Sequence, residues 1–433
     1  MMKEHYISEV PLNQETTIAG WVHEVRDTKN FLFFVLRDKT GKIQVTIKKG
    51  ENELSEKAIK LVREDCIQLK GISKESKIAN AGIEFVPTEL TVLGKVEGIV
   101  PIDVTGRVAA ELDTRLDYRS IDLRRDKIKS IFKIKSKVVQ EFRNYLSSRD
   151  FEELHVPSIL GSSTEGGTEL FEIKYFEKKA YLSQSPQLYK QLAVLGGYDK
   201  VYITTPVFRA EKHNTLSHLN ECMQLDIEMG FCDNNDAMKV LGETFIAMLK
   251  KASEMQKELE AIGTQIKLPS EEVPIVTYKE IIERLQKIGS KTQDGEDLSK
   301  DDEKLIYEKL GYEYVIIKDY PTKVRAFYSL PYLDGESEYK NKEYCKSYDL
   351  IYRGTEISSG AQRIHDPQLL TDQIKEKGLN PEDFKGYIDS FKYGSCPHAG
   401  WSIGAERITM KICNLENIRE AVLWPRDRVR ITP

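Results

Sequence analysis

Arg209 and Glu211 stand two residues apart in TTPVFRAEKHNTLSHLNECMQLDIEMGF, at the end of an apolar run over 201–208. A guanidinium there can hold a phosphate or carboxylate in a fork, and the carboxylate can orient an amine or a second arginine. Residues two apart on a strand face the same way, so the pair is expected on one face. An ion pair on a solvated hairpin is the alternative this stretch leaves open. Gln187 and Lys190 stand three apart in QSPQLYKQ. On a helix both would point into one pocket, although a lysine on a helix face is usually solvated. Glu356, Ser359 and Arg363 are the polar residues of interest in an alternating run over 347–365. Arg407 follows a glycine-rich strand in HAGWSIGAERITM, at the start of a helix.

The elements that must hold these groups follow from periodicity. Two antiparallel strands are expected around Arg209, joined by a polar loop with His213, Asn214 and His218; the second, over 222–231, carries Asp226 and Glu228. A helix over 127–149 has Ile131, Ile134, Val138, Val139, Phe142 and Leu146 on one side, and runs into FEELHVPSIL, a strand interrupted by Pro157. GSSTEGGTELFEI is a glycine-rich loop suited to a lid or to an ordinary connection. The helix at Gln184 opens with Ser185 able to cap and Pro186 in its first turn. An amphipathic helix is expected over 236–261, followed by a charged α/β region containing the strand-like YEYVIIKDYP.

Residues 16–104 read as five short strands with one helical insert over 53–63. That suits a five-stranded Greek-key barrel, the OB-fold, which commonly binds single-stranded nucleic acid with aromatics and a basic groove. Phe31 and Phe33 alternate on one face with Arg26, Lys42 and Gln44 nearby, although an aromatic at strand spacing is more often core. A charged stretch over 101–125 reads as a hinge with a short helix. The expected domains are therefore a barrel over 1–104, a linker over 105–126 and a larger domain over 127–433, with a small insertion around 265–325.

The 433 residues carry a net charge of −5, which does not advertise nucleic-acid binding but leaves local basic patches open. Six cysteines without CxxC spacing indicate neither a zinc ribbon nor a disulfide framework. No apolar run is long enough to span a bilayer and no basic-then-apolar leader is seen, so no membrane partner and a cytoplasmic setting are expected.

FRAEKHNTLSHLNE resembles motif 2 of the class II aminoacyl-tRNA synthetases, in the wording of archaeal-type aspartyl enzymes. HAGWSIGAERITM resembles motif 3, and the helix, strand and Pro157 resemble motif 1, whose proline sits at the class II dimer interface. The resemblance spans essentially the whole chain. It implies an α+β protein, with an OB barrel for the anticodon and a catalytic domain of antiparallel sheet flanked by helices. The implied reaction activates L-aspartate with ATP and Mg²⁺, then transfers it to the 3′ end of tRNA-Asp, with tRNA-Asn as a second acceptor in some members. A homodimer is implied, and an amidotransferase acting downstream if tRNA-Asn is charged.

The resemblance also assigns residues. Arg209, Glu356 and Arg407 are the implied catalytic set: Arg209 bridges the attacking carboxylate and the α-phosphate, and Arg407 stacks on adenine and meets the γ-phosphate with His218. Glu211 would contact the adenine amine, and the ATP set extends to Ala210, Ser217, Leu219, Gly404, Ala405 and Glu406. Glu356 and Ser359 align with magnesium ligands, a hard-oxygen pair that suits a cation bridging phosphates. For aspartate, Lys190 and Arg363 would hold the β-carboxylate and Glu165 the ammonium group, with Gln187 and Ser359 in the same pocket. Phe33 would stack on an anticodon base and Gln44 read an edge. His23, in GWVH, leans toward relaxed tRNA choice, whereas Asn80 stands where proline or lysine would be diagnostic.

Several positions depart from the pattern. Cys222 replaces a phenylalanine that stacks on adenine in some relatives, leaving Met223 or another residue for that task. Ser217 stands where close relatives have arginine, Ser402 where they have glycine, and Arg325 where they have lysine. An asparaginyl enzyme is a rival reading, opposed by Lys190 and the PRDRVRITP ending. A synthetase-like asparagine synthetase is opposed by the presence of the barrel. An RNA-binding paralogue without catalysis is opposed by Arg209, Glu356 and Arg407.

Overall fold

Strict alternation in FLFFVLR and KIQVTIK turns Leu32, Phe34, Leu36, Ile43, Val45 and Ile47 to one side, and that side fills a closed barrel. The strands of this computed structural model are β1 (Glu15–Asp27), β2 (Phe31–Arg37), β3 (Lys42–Lys48), β4 (Cys66–Glu75) and β5 (Ile83–Gly94). Their order is β1-β2-β3-β5-β4, with β4 returning to β1. Helix α1 (Glu53–Ile59) is shorter than the expected insert; Asn52 caps it by accepting from the Ser55 amide at 2.8 Å. Short helices α2 (Leu112–Asp117) and α3 (Arg119–Asp122) follow, and buried Asp122 gathers Arg119 at 2.8 Å and Arg115 and Arg125 at 3.3 Å. The structure describes all residues except 1, 51, 78, 80–81, 162–169, 213–214, 334–338 and 340–341. Two compact units divide the chain, Met1–Arg125 and Asp126–Pro433.

The second unit opens with α4 (Asp126–Ser147) and two short strands, β6 (Glu152–Glu153) and β7 (Ile159–Leu160). Pro157 divides what the sequence suggested was one strand. β6 joins the main sheet, whereas β7 pairs with β9 (Lys178–Leu182), itself paired with β8 (Glu172–Tyr175). Proline cannot donate to a ladder, so pairing stops around it. Then come α5 (Gln187–Leu195), β10 (Lys200–Phe208), β11 (Glu221–Gly230), α6 (Asn234–Ser253) and α7 (Gln256–Ile262). The last two replace the single helix expected over 236–261; the Ser253 hydroxyl donates to the Lys250 carbonyl at 2.7 Å just before the break.

β12 (Ile275–Thr277), α8 (Tyr278–Lys287), α9 (Lys300–Glu308) and β13 (Tyr314–Lys318) make up the segment expected as an insertion. Its strands extend the edge of the main sheet, over a core of Tyr278, Ile281, Leu285, Ile306 and Ile317. β14 (Ser347–Tyr352), β15 (Glu356–Gln362), α10 (Pro367–Glu376), α11 (Lys385–Phe391), β16 (His398–Gly404) and α12 (Ala405–Ile412) complete the unit. The eight strands run β12-β13-β14-β15-β16-β11-β10-β6, antiparallel except for the pairs at the two edges.

Alternation in QLDIEM of β11 sorts the two faces of this sheet. Leu225, Ile227 and Met229 share the side of Trp401, whose indole donates to the Ala237 carbonyl of α6 at 3.2 Å. Phe142 of α4 meets Tyr202 and Trp401 edge-on at 5.8 and 6.2 Å. The intervening Gln224, Asp226 and Glu228 turn to the other side, toward α5. That polar face carries the candidate site. Among the described residues no helix is long and apolar enough to cross a membrane.

Candidate active site and nucleic-acid face

Two adjoining cavities of about 220 and 270 Å³ open on the polar face of the sheet. Arg209, Gln224, Glu356, Ser359 and Ser402 line both, so one set of side chains stands where two ligands would touch. Arg209 and Glu211 lie just beyond the end of β10, not on the strand as expected, yet both line the first cavity. Asn220, which sequence reasoning passed over, holds them: its side-chain amide donates to the carbonyls of Arg209 and Glu211 at 2.7 and 3.3 Å. The chain's end supports the same turn. Arg426 accepts from the Asn220 amide at 2.9 Å, and the Arg428 guanidinium donates to the Lys212 carbonyl at 2.6 Å.

The first cavity has the character of a phosphate and base pocket. Ser217, His218, Leu219, Cys222, Gly404, Glu406 and Arg407 join Arg209, Glu211 and Glu356 around it. Arg407, in the first turn of α12, donates to the Glu356 carbonyl at 3.0 Å and lies 3.4 Å from its carboxylate. Burial would raise the Glu356 carboxyl, but Arg407, Lys300, Arg325 and Arg209 outweigh it and hold the group below its ordinary value. His218 lies 3.8 Å from Glu211 and 2.6 Å from the Thr215 hydroxyl. Burial, with Arg407, Lys300 and Arg209, depresses its pKa against the pull of Glu211.

Three expected nucleotide contacts fare differently. Glu406 lines the cavity, but one of its oxygens accepts from Lys135 at 2.7 Å and the other from the Met223 amide at 2.9 Å, which makes it a brace between α4, β11 and α12. Ala210 and Ala405 are not among the lining residues. Cys222 is on the wall and Met223 is not, so the thioether suggested as a stacking partner faces elsewhere. Burial lifts the Cys222 thiol to about 11, keeping it protonated and apolar in character.

The second cavity is lined by Ser185, Gln187, Asp226, Arg325, Tyr328, Arg363 and their neighbours. Arg363 is held by Glu228, with Nε at 2.9 Å and Nη2 at 3.3 Å, and donates to the Gly400 carbonyl at 2.8 Å. Gly400 is required here, because a Cβ would lie 2.3 Å from the Glu228 carboxylate. Lys190 stands behind this wall and is not one of the lining residues. Its ammonium donates to Asp226 at 2.7 Å and to the Trp401 carbonyl at 3.3 Å, with Glu228 at 3.6 Å. The expected direct face on the pocket is therefore taken by Asp226, whose other oxygen accepts from Ser402 at 3.0 Å.

Gln187 is on the wall and buried, and a relay orients it. Its amide donates to the Gln191 oxygen at 3.0 Å, which also accepts from Tyr387 at 2.9 Å. The Gln191 amide meets His398 at 3.0 Å, and the other ring nitrogen of His398 donates to the Cys396 carbonyl at 2.9 Å. Ser185 accepts from the Gln187 amide at 3.0 Å, but it lies one residue before the cap position foreseen for it, which Pro186 occupies without a side-chain capping bond. Arg325 pairs in a fork with buried Asp349, at 3.0 Å for its longer contact, and lies 3.6 Å over the Tyr320 ring. Glu165 lies outside the described residues, as do Asn80, His213 and Asn214.

Glu356 and Ser359 are shared by both cavities and offer a carboxylate and a hydroxyl, all oxygen. Among the described residues no group of three His, Cys, Asp or Glu side chains forms a metal cage. This donor set fits a small hard cation brought in on phosphate oxygens with water completing its shell, rather than a resident metal.

In the barrel unit a cavity of about 680 Å³ is lined by His23, Glu24, Arg26, Thr28, Phe33, Lys42, Gln44 and neighbours. Alternation explains the set: Phe34 fills the core at 1% exposure while Phe33 faces outward with Phe31, ring centroids 5.9 Å apart. An aromatic face beside Arg26, Lys42 and a glutamine amide is suited to a stacked base and a phosphate.

The family model for class II tRNA synthetases (D, K and N) matches residues 111–428, and that for the OB-fold nucleic acid binding domain matches 16–93. The chain is 44% identical to the aspartate–tRNA(Asp/Asn) ligase of Methanocaldococcus jannaschii, over 100% of this chain and 98% of that one. Asparaginyl-tRNA synthetase from Pyrococcus horikoshii, solved with asparaginyl-adenylate, superposes with a TM-score of 0.91 at 32% identity, covering both chains fully. An aspartyl-tRNA synthetase from Entamoeba histolytica superposes with a TM-score of 0.87 at 33% identity, covering 100% of this chain and 93% of that one. Backbone likeness thus reaches aspartyl and asparaginyl enzymes alike.

Proposed function

The chain belongs to the class II tRNA synthetases of the aspartate, lysine and asparagine group, and from that premise we propose the reaction and the part each residue takes in it. The protein is an aspartate–tRNA ligase, and its acceptors are tRNA-Asp and tRNA-Asn. The observation that carries aspartate over asparagine is the buried pair of cations, Lys190 and Arg363, in and just behind one wall of the second cavity. A β-carboxylate gives these cations a partner of full charge, whereas a neutral amide would present N–H groups to donors.

In the first step the α-carboxylate of aspartate attacks the α-phosphorus of ATP; the new P–O bond forms as the bond to the β-phosphate oxygen breaks, and pyrophosphate leaves. Arg209 lines both cavities, so its guanidinium neutralises attacking and attacked groups together. Catalysis of this kind is won by positioning and fixed charge. Arg407 and His218 receive the terminal phosphates, and Glu211 accepts from the adenine amine. Glu356 and Ser359 would hold Mg²⁺, which supplies charge neutralisation on the phosphate oxygens. Gln187, oriented by Gln191 and His398, contacts the amino-acid backbone groups, and Glu165 its ammonium. In the second step the 3′-terminal adenosine hydroxyl attacks the adenylate carbonyl and AMP departs.

The barrel binds the anticodon, with Phe33 stacking on a base and Gln44 reading an edge. The working unit is a dimer of two copies, built around α4 and Pro157, and the setting is cytoplasmic. Charging tRNA-Asn with aspartate requires a later amidation of the free side-chain carboxylate of the ester-linked aspartyl group, so a tRNA-dependent amidotransferase is the expected partner reaction. Aminoacylation with labelled aspartate, using tRNA-Asp and tRNA-Asn transcripts side by side, tests the proposal. Charging of both is expected; charging of neither, or only with asparagine, overturns it.

A further inference from the structure

Glu356 and Ser359 line the same two cavities although they stand three apart on β15, and residues three apart on an unbroken strand face opposite sides. The register of the β14–β15 hairpin accounts for it. Leu350 pairs with Ser358 but Ile351 with Glu356, so Ile357 is an extra residue on β15, and Ile357 and Ser358 are buried in succession. A bulge re-aims the side chains beside it. This one brings the carboxylate into line with the hydroxyl.

A bulge also takes backbone groups out of the ladder, and a buried amide without a partner is costly. The Glu356 amide finds its partner outside the sheet, donating to Glu303 Oε2 of α9 at 2.9 Å. Glu303 is 3% exposed, and its other oxygen accepts from the Lys300 ammonium at 2.6 Å. Lys300 supplies the charge that lets a second carboxylate stand buried beside Glu356.

Both sides of this contact are held. Asp302 fixes the start of α9, accepting from the Ser299 amide at 3.0 Å and from the Ser290 and Thr292 hydroxyls at 2.5 Å each. On the hairpin, Arg353 and Gly354 form a two-residue turn with φ of 46° and 69°, closed by amide bonds between Tyr352 and Thr355 at 2.9 and 3.1 Å. Gly354 lets α9 come close, since a Cβ there would lie 3.1 Å from Lys304 Cα and 3.3 Å from the Glu303 carbonyl oxygen. The Arg353 guanidinium ties the turn to Glu313 at 2.7 Å and to the carbonyls of Gln265 and Lys411 at 2.9 and 3.1 Å.

We infer that Glu303, charge-balanced by Lys300, is a positioning residue for the activation step: it holds the bulge that turns Glu356 toward the ATP phosphates and their magnesium ion. This role rests on the reading of Glu356 as a magnesium ligand. Neither Glu303 nor Lys300 is among the lining residues of the two cavities, so the pair acts through Glu356 and not on a substrate. A helix from the segment expected as an insertion thus reaches the site from behind.

The test is binding to the full chain of the Mn²⁺ complex of an ATP analogue with a methylene bridge between its α- and β-phosphorus atoms, so that no adenylate forms. Bound Mn²⁺ is read from the loss of its electron paramagnetic resonance signal. Glu303→Met removes the acceptor and should weaken binding of the complex about tenfold. Glu303→Gln keeps an oxygen for the Glu356 amide and should stay within about threefold of the unaltered protein. Adenosine and aspartate, followed by calorimetry, should bind both variants within about twofold of the unaltered protein. Equal affinities of the Met and Gln variants for the Mn²⁺ complex, or a uniform loss of complex, adenosine and aspartate, overturn the positioning role. Glu356→Gln separates this role from the reading beneath it. Unchanged binding of the complex by that variant refutes the metal role of Glu356, and the role of Glu303 with it; weakened binding there with normal binding by Glu303→Met refutes Glu303 alone. Added to Glu356→Gln, Glu303→Met should cost nothing more, and additive losses contradict action through Glu356. If Glu303→Met does not fold, Glu303→Asp draws the acceptor back by one methylene; it should lose about threefold or more, and an unchanged affinity overturns the role.

Discussion

Lys190 and Asp226 meet at 2.7 Å with both side chains 1% exposed, on the side of the sheet away from Trp401. Glu228, paired with Arg363, lies 3.6 Å from the same ammonium, so two cations and two carboxylates balance one another out of reach of water. A cluster of this kind is costly to unbalance and inexpensive to hold once complete. An arriving β-carboxylate finds one of the two cations, Arg363, on the wall beside Asp226, and the other, Lys190, one side chain behind, on Asp226.

Replacing Lys190 by methionine breaks that balance. Lys190→Met should lose about 3–5 kcal/mol of stability in denaturant melts, and aspartate-dependent ATP–pyrophosphate exchange should fall about 100-fold or more in kcat/KM. Lys190→Met with Asp226→Asn should recover most of the stability and none of the exchange. Recovery of both would reduce Lys190 to a structural role.

Arg209 stands between the two cavities, and its fork, not its charge alone, is what the first step uses. Arg209→Lys is expected to lower kcat of the exchange reaction by about 10²- to 10³-fold with smaller changes in either KM. A change confined to KM for ATP would mean that the residue only binds nucleotide.

Ser402 gives Asp226 its second hydrogen bond at 3.0 Å. Ser402→Gly should cost about 0.5–1.5 kcal/mol in aspartate binding, read as a rise of up to about tenfold in KM for aspartate. KM for ATP should move less; the opposite pattern would place Ser402 in nucleotide binding.

His218 supplies a pH dependence with a definite sign. Its pKa is depressed in the protein alone, by burial and by Arg407, Lys300 and Arg209, so the ring is neutral at pH 7. A polyphosphate beside it favours the imidazolium, so ATP binding raises its pKa and takes up a proton. Affinity for ATP should therefore rise as pH falls through the bound-state pKa and level off below the depressed one. KM for ATP measured across pH should show this slope, and His218→Gln should flatten it.

Much of the barrel was legible because its strands bury one face only: alternation in FLFFVLR puts Leu32, Phe34 and Leu36 inside and leaves Phe33 on the cavity. A β-bulge at His23 was not, since nothing in GWVHEV marks an extra residue until Glu64 and Asp65 are seen to pair with Val22. In the larger unit the motifs singled out Arg209, Glu356, Arg363 and Arg407, and each of the four lines one or both cavities. Spacing misled at Arg209 and Glu211, where β10 has already ended and Asn220 rather than strand geometry sets the direction. The helix face that carries Gln187 and Lys190 was read correctly, but its three-residue period cannot tell which of the two reaches the pocket. That depends on Asp226 and Glu228, contributed by β11 from far along the chain.

ATP–pyrophosphate exchange with aspartate and with asparagine, on the same preparation of the unaltered protein, bears most directly on the assignment. The buried Lys190 and Arg363 predict strong exchange with aspartate and, with asparagine, exchange lower by about 10³-fold or more. Equal exchange with the two, or a preference for asparagine, would contradict the role given to those cations and return the chain to the asparaginyl reading.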